Sequence, residues 1–434
     1  MSRSKVVQDP VHGNILVGGV FLDVMDRPEM QRLRSVRQLG LGHLVFPGAN
    51  HTRFEHCLGT YHLSGRMANA IGLDRTDSDT VRMAGLLHDV CHAPFSHSME
   101  ATMEEATGLN HMELARSLIT GRIPNHMEVD DDLFDGMPPI GEIISREGID
   151  PEKVCDLIAY PDSANDDVID FTGKEDHFPS NDYAHQIIHG PVDADQMDYL
   201  MRDAYFTGLS HGFIDCDRLI NTMNVHNDRI VLRRGGITAA EGLMVSRSLM
   251  YTSVYFHETT RIAERMLVKA VEASGIDLSQ VYLWTDAELT HRVVESGGKS
   301  SNCMRRIMNR DINKKAFAVY SVDMDDDKVS KLIPYASLEG AKRLEQEIAD
   351  QADLDPFNVC AELTTKANLQ SKVNIGKTDV SIIDDEGKVK SLTKFSPIAR
   401  SLQARDPYGW AVLISAPAMM CEQVEKASRK VLGI

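Results

Sequence analysis

No run of about 18 apolar residues, the length a membrane-crossing helix needs, occurs anywhere in the 434-residue sequence. The opening residues, MSRSKVVQDP, lack the apolar core of a signal peptide, so the expectation is a cytoplasmic protein with no membrane partner. Cysteine is sparse. The seven cysteines are odd in number, scattered, and never in CxxC spacing, which excludes a thiolate metal site of that kind and argues against a disulfide frame. Positive charge is also in deficit. With 46 basic against 64 acidic residues, the formal net charge of −18 argues against a long polynucleotide as substrate, because phosphate backbones are bound by Lys and Arg. There is no internal repeat and no low-complexity tract. The remainder is ordinary: 42% hydrophobic and 25% charged residues suit a globular chain longer than one typical domain.

Histidine is abundant, with 17 in all, and clusters between His43 and His111. Helical patterning surrounds that cluster. Asp26 and Pro28 mark a helix start and Gly40 its end, and a second helix runs from about Phe54 to Ile71. Its Gly59 and Gly65 would let another helix approach closely. A third begins near Asp77 or Ser78 and carries Val81, Ala84, Leu87 and Val90. The stretch 125–185 is acidic and Pro/Gly-punctuated, read as a short helix around 151–160 between solvated loops. A helix from about Asp193 to Phe206 follows, and 238–274 reads as one long helix. After about residue 315, FAVYSV, NVCAEL, DVSIID and GWAVLISA are short β-type runs, closed by an amphipathic helix. The expected architecture is mainly α. Residues 1–315 form a helical domain with an acidic insert at about 125–185, and 316–434 form a small α+β domain.

The chemistry-bearing pattern is His56, the adjacent pair His88–Asp89, and a distant acid at Asp195. Imidazole mixed with carboxylate suits a divalent ion, and ligands converging from separate elements are what such a site needs. His88 and Asp89 follow the apolar stretch MAGLL, where a buried Asp is costly unless paired or metal-bound. Asp195, Tyr199 and Asp203 are spaced i, i+4, i+8 and so share one helix face. Core packing, with an ion pair from Asp203 to Arg202, is the alternative. His92, four residues past His88, could protonate a leaving oxygen or equally orient a ligand.

Three segments, RFEHCLGTYHLSG, AGLLHDVCHAPFSHSME and VDADQMDYLMRD, occur in that order and resemble the HD-domain deoxynucleoside triphosphate triphosphohydrolases. The likeness is greatest to the group that includes the SAM and HD domain-containing enzymes. It extends through DPVHGNI, RPEMQRLRSVRQLG and VFPGANHTRFEHCLG, covering roughly residues 5–115 and 190–265. The resemblance implies an HD-domain helical bundle with one divalent metal ion per subunit (Mn, Fe, Ni, Zn or Mg) held by His56, His88, Asp89 and Asp195. It implies acid–base roles for His92, His111 and Glu100, the last standing where relatives carry Asp. Arg53, His97 and Arg247 match triphosphate contacts. Gln38 and Leu39 lie near sugar and base, while Tyr199, Asp203 and Tyr255 line the deoxyribose. Lys5, Asp26, Gln31 and Arg34 match a regulatory guanine-nucleotide site, and a homo-oligomer, dimer or tetramer, is implied.

The sequence departs from the family at Gln196, where relatives carry a phosphate-binding Lys, and at Phe256, where they carry Gln. Tyr251 replaces a His and Glu258 a Lys, and Glu258 is expected to repel a phosphate. The implied activity is hydrolysis of a dNTP to deoxynucleoside and triphosphate. The alternatives are an HD phosphohydrolase acting on a monophosphate or signalling nucleotide, or a catalytically weak nucleotide-sensing protein.

Overall fold

The computed structural model describes residues 3–126, 136–159, 183–364, 380–403 and 409–434. It is mainly helical, with a smaller α+β portion toward the C-terminus. The chain opens with a hairpin of β1 (Ser4–Asp9) and β2 (Gly13–Gly18), then the short helices α1 (Val20–Met25) and α2 (Pro28–Arg32). The helix expected to reach Gly40 therefore stops early. It tightens into a single 3-10 turn at Leu33–Ser35, and the backbone then extends to bridge Arg37 with Thr52.

The centre of the molecule is α3 (Arg53–Ile71), started by Glu55 accepting the Thr52 N–H and ended by Gly72 in the left-handed conformation. Against it pack α4 (Arg75–Leu87) and, further along the chain, the helix Ala194–Thr207. The close approach expected at the two glycines is present. A Cβ at Gly59 would overlap the Asp198 carboxylate, and one at Gly65 would press on Arg82. The N-cap of α4 is Asp74, which accepts the Asp77 N–H, rather than Asp77 or Ser78.

Next come α5 (Glu100–Thr107), α6 (His111–Ile119), α7 (Ile140–Arg146) and α8 (Pro151–Ile158). Residues 127–135 and 160–182 of the acidic stretch lie outside the described residues. The short helix expected around 151–160 is present as α8, packed on α4 and α6, while 140–146, expected as solvated loop, is a helix with Ile140 and Ile144 buried. Acidic composition on the outer face concealed an apolar inner face.

The helix α9 (Ala194–Thr207) starts at Asp193, whose carboxylate accepts the Gln196 N–H at 2.6 Å, and ends at left-handed Gly208. The long helix expected over 238–274 is two. These are α10 (Ile237–Met250) and α11 (Glu258–Glu272), separated by a π-helical turn at Tyr251–Tyr255 and an N-cap at His257. A π turn rotates the residues it carries off the regular helical face, and such turns collect at functional sites.

The helices α12 (Asp286–Glu295) and α13 (Gly298–Met308) complete the helical body. Beyond it lie β5 (Lys314–Tyr320), α14 (Leu338–Ala352), β6 (Cys360–Leu363), β9 (Trp410–Ala416) and α15 (Cys421–Leu432). The sheet order is β5-β9-β6, all antiparallel. Every residue of β9 is buried, which explains why WAVLISA is apolar at all but Ser415. Trp410 and Leu413 pack into the helical core, while Val412, Ile414 and Ala416 build a second core with α14 and α15. The segment DVSIID goes elsewhere. Its strand β7 (Ser381–Ile383), with β8 (Val389–Ser391), joins a hairpin of β3 (Met223–His226) and β4 (Arg229–Arg233) in a separate sheet, β3-β4-β7-β8. The chain thus crosses back over the division expected at 315.

Candidate metal centre and phosphate pocket

His56 lies on the first turn of α3, His88 at the C-cap of α4, and Asp195 on the first turn of α9. Three elements far apart in sequence bring one ligand atom from each within 4.8 Å of one another. His56 Nε2 is 3.2 Å from His88 Nε2 and 2.9 Å from Asp195 Oδ1. Asp89 flanks them. Its Oδ1 lies 3.5 Å from His88 Nε2, and its Oδ2 lies 3.6 Å from His56 Nε2 while accepting from Arg53 Nη1.

The chemistry of the donors tests whether a cation fits. His88 Nδ1 faces the Gly85 carbonyl at 3.0 Å, and His56 Nδ1 faces the Asp198 carboxylate at 2.7 Å. Both partners only accept, so each Nδ1 carries a hydrogen and each Nε2 is the atom left to take a cation or a second proton. Two Nε2 atoms and flanking carboxylates face one point, an arrangement that suits a divalent cation and that a proton on His56 satisfies in its place. Burial alone would lower the His56 pKa, but its hydrogen bonds to Asp195 and Asp198 raise it to about 10. Burial would raise Asp89, yet Arg53, His88 and His92 hold it well below the usual carboxylate range. The upward shift of His56 shows that Asp195 and Asp198 favour positive charge at this point.

After His88 the helix is over, so His92 arrives on a turn rather than on the α4 face. Its Nε2 sits 3.2 Å from Asp89 Oδ1, and its ring stacks on His111 at 4.3 Å between centroids. Burial, helped by the Arg53 charge, pushes its pKa well down and keeps it neutral. His111 opens α6 and pairs with Glu100, whose other oxygen meets His97 Nδ1 at 2.9 Å. His92, His97, His111 and Glu100 therefore form one contiguous group beside the ligands.

Arg53 is buried between Asp89 and Ser96, with Nε donating to Ser96 Oγ at 2.8 Å and Nη2 finding no partner among the described residues. Arg247 Nε and Gln38 Oε1 are likewise buried without one. Leu39, next to Gln38, is half-buried against the core. Gln196 is turned inward. With its amide oxygen toward Arg247 it accepts from Nη1 at 3.2 Å and donates to the Pro191 carbonyl at 3.3 Å. Where relatives present a cation, this chain braces one.

On α9, Tyr199 meets Tyr255 edge-on at 6.1 Å between centroids. Asp203 does not pair with Arg202. Its two oxygens are taken by Tyr255 Oη at 2.6 Å and His51 Nε2 at 2.7 Å. Arg202 instead holds Asp198 and Asp9.

The four residues expected to form a regulatory site do gather. Lys5 pairs with Asp26, Gln31 Nε2 donates to the Met25 carbonyl next to Asp26, and Arg34 Nε donates to Gln31 Oε1 while lying over the Phe54 ring. Glu258 is paired with Lys315 at 2.7 Å and accepts from the Tyr320 hydroxyl, so the repulsive charge expected of it is offset by a neighbouring cation.

Sequence reading missed His12, His51, Asp198 and Asp286, and weighed for Arg202 a partner, Asp203, that it does not take. Asp198 stood inside a quoted motif, but at i+3 from Asp195 it sits off the face followed there. Asp286 comes from a segment with no motif at all, yet its carboxylate accepts the Phe95 and Arg37 N–H groups and so ties two loops of the site.

A model of the HD domain matches residues 53–161, and one of the HD associated region matches 214–434. An uncharacterized protein of Methanocaldococcus jannaschii is 30% identical, covering 98% of this chain and 82% of its own. The human deoxynucleoside triphosphate triphosphohydrolase is 29% identical over 61% of this chain, which spans only 44% of that protein's length. Among solved structures, a hypothetical protein from Aquifex aeolicus superposes with a TM-score of 0.67 and 26% identity, covering 98% of this chain and all of its own. Among the described residues, no helix is long and apolar enough to cross a membrane.

Proposed function

Because the chain belongs to the HD-domain phosphohydrolase family, we propose that it hydrolyses dNTPs to deoxynucleoside and inorganic triphosphate. The observation that carries this reading is the facing Nε2 atoms of His56 and His88 beside Asp195, with Arg53 Nη2 and Arg247 Nε buried and without partners among the described residues. A divalent ion held by His56, His88, Asp89 and Asp195 would supply Lewis acidity toward a phosphate. Arg53, Arg247 and the exposed His97 offset phosphate charge as the bond at the α-phosphate breaks. The neutral His92, stacked on the His111–Glu100 pair, sits where a proton must move between water and leaving oxygen. Gln38 and Leu39 border base and sugar, and Tyr199, Tyr255 and Asp203 close around the deoxyribose.

The inward turn of Gln196 favours a second reading, a nucleotide with fewer phosphates, since one cation that relatives carry is missing. One experiment separates the two: chromatographic product analysis with a panel of dNTPs, rNTPs and dNMPs. Triphosphate release from dNTPs supports the first reading. Turnover confined to monophosphates overturns it. We further propose a homo-oligomer with at most modest stimulation by a guanine nucleotide at Lys5, Asp26, Gln31 and Arg34.

A further inference from the structure

Behind the metal ligands lies a hub that the reaction chemistry does not use. Asp198 is fully buried on α9, and its carboxylate receives four hydrogen bonds. Arg202 supplies two, Nε and Nη2, each at 2.9 Å. His56 Nδ1 supplies a third at 2.7 Å, and His12 Nε2 a fourth at 2.6 Å. Arg202 also donates from Nη1 to Asp9 at 2.8 Å, and Asp9 accepts the Val11 and His12 N–H groups, closing the turn that carries His12. Gly59 on α3 leaves the space this needs, since a Cβ there would overlap Asp198 and crowd Arg202.

We propose that His12 is a positioning residue for the metal centre, acting through Asp198 on His56. The inference rests on the reading of His56 as a metal ligand. Asp198 fixes the ring of His56 by accepting its Nδ1–H, which keeps the Nε2 lone pair aimed at the ligand point. His12 fixes Asp198 in turn. With Arg202 across both oxygens, Asp198 is a carboxylate that only accepts, so His12 donates from Nε2 and opposes rotation of the group toward Arg202. The hairpin turn between β1 and β2 is thereby felt at a metal ligand some 45 residues along the chain. Beside His12 is a cavity of about 270 Å³, lined also by Val11, His62 and Arg66, so its side chain can be exchanged without opening the core.

The test is titration of metal-free full-length protein with Co²⁺, followed by visible absorption, on wild type, His12→Leu and His12→Gln. Far-UV circular dichroism and melting of the metal-free forms check the fold. His12→Leu removes the donor and should weaken Co²⁺ binding about 10- to 100-fold, the range seen when partners of metal-bound histidines are lost. It should also shift the Co²⁺ absorption bands. His12→Gln can donate an amide N–H to Asp198 and should bind close to wild type. If the leucine variant does not fold, His12→Phe, which the cavity can accept, asks the same question. Wild-type affinity and spectrum in the donor-less variant overturn the inference. So does equal loss in the leucine and glutamine variants, which would show that His12 acts through packing. A wild type that binds no Co²⁺ removes the metal reading itself.

Discussion

Asp286 offers the sharpest test of how the site is held. It lies on the first turn of α12, outside every motif, and is buried. Its Oδ1 accepts the Phe95 N–H at 2.8 Å, and its Oδ2 accepts the Arg37 N–H at 3.2 Å and Arg37 Nη1 at 3.4 Å. Phe95 and Ser96 both have positive φ, 59° and 57°, which side chains other than glycine avoid. Such strain persists only where the surroundings impose it. Ser96 Oγ in turn accepts from Arg53 and donates to the Arg37 carbonyl, so the clamp reaches Arg53, the proposed phosphate contact. Asp286→Ala leaves two backbone donors without their acceptor, at about 1–3 kcal/mol each, with the half-exposed Arg37 guanidinium turning to water at little cost. Burial already holds the Asp286 carboxyl above its ordinary pKa, so removing a costly charge returns part of the loss. The net expectation is a loss of about 2–4 kcal/mol. Asp286→Asn, with one carbonyl oxygen, should lose about half as much. The assay is urea unfolding at constant m-value, with KM and kcat measured alongside; displacement of Arg53 should raise KM for the nucleotide. A stability change below about 0.5 kcal/mol, the scale of a neutral surface substitution, with unchanged KM would refute the clamp.

Deoxynucleotides should be preferred over ribonucleotides if Asp203, held by Tyr255 and His51, faces the sugar as proposed; equal turnover of dGTP and GTP would contradict that. The His111–Glu100 pair should give a bounded pH signature despite the burial that opposes both charges. Glu100 raises the His111 pKa above 6.5, so that contribution is complete below 6.5 and lost as pH rises through the raised value. His111 and His97 hold Glu100 well below 4.5, so its contribution is present above 4.5 and lost in stronger acid. The melting deficit of His111→Gln should be greatest between these ordinary values, and a deficit that grows toward alkaline pH would contradict the pairing. Sedimentation and initial rates with and without GTP should show a constitutive oligomer and modest stimulation, weakened in Asp26→Ala. Strong GTP-driven assembly would show that Lys315 neutralises Glu258 fully.

What the sequence revealed and what it concealed follow from how far each signal reaches. Helices α3, α4 and α9 were legible because apolar periodicity is local, although the cap of α4 is Asp74, upstream of the expected Asp77 or Ser78. The candidate ligands that the structure gathers, His56, His88 and Asp195, were legible because they stand in dense motifs. The break at Tyr251–Tyr255 was hidden, since no proline or glycine marks it and both flanks keep helical composition. The assignment of β7 to the β3-β4 sheet was hidden for a different reason. A strand of three residues states its β character but not its partner some 150 residues away. Asp203 paired with His51 and Tyr255 rather than with adjacent Arg202 because residues next to each other on a helix point about 100° apart. Contacts across helices decided the site's finer wiring, and a linear reading carries little of that.

Metal content measured by elemental analysis, together with dNTP hydrolysis, on wild type, His88→Ala and Asp89→Ala tests the central claim most directly. The account predicts one divalent ion per chain and hydrolysis in the wild type, and loss of both in each variant with helical content retained. Full metal occupancy in both variants would contradict the centre built from His56, His88, Asp89 and Asp195.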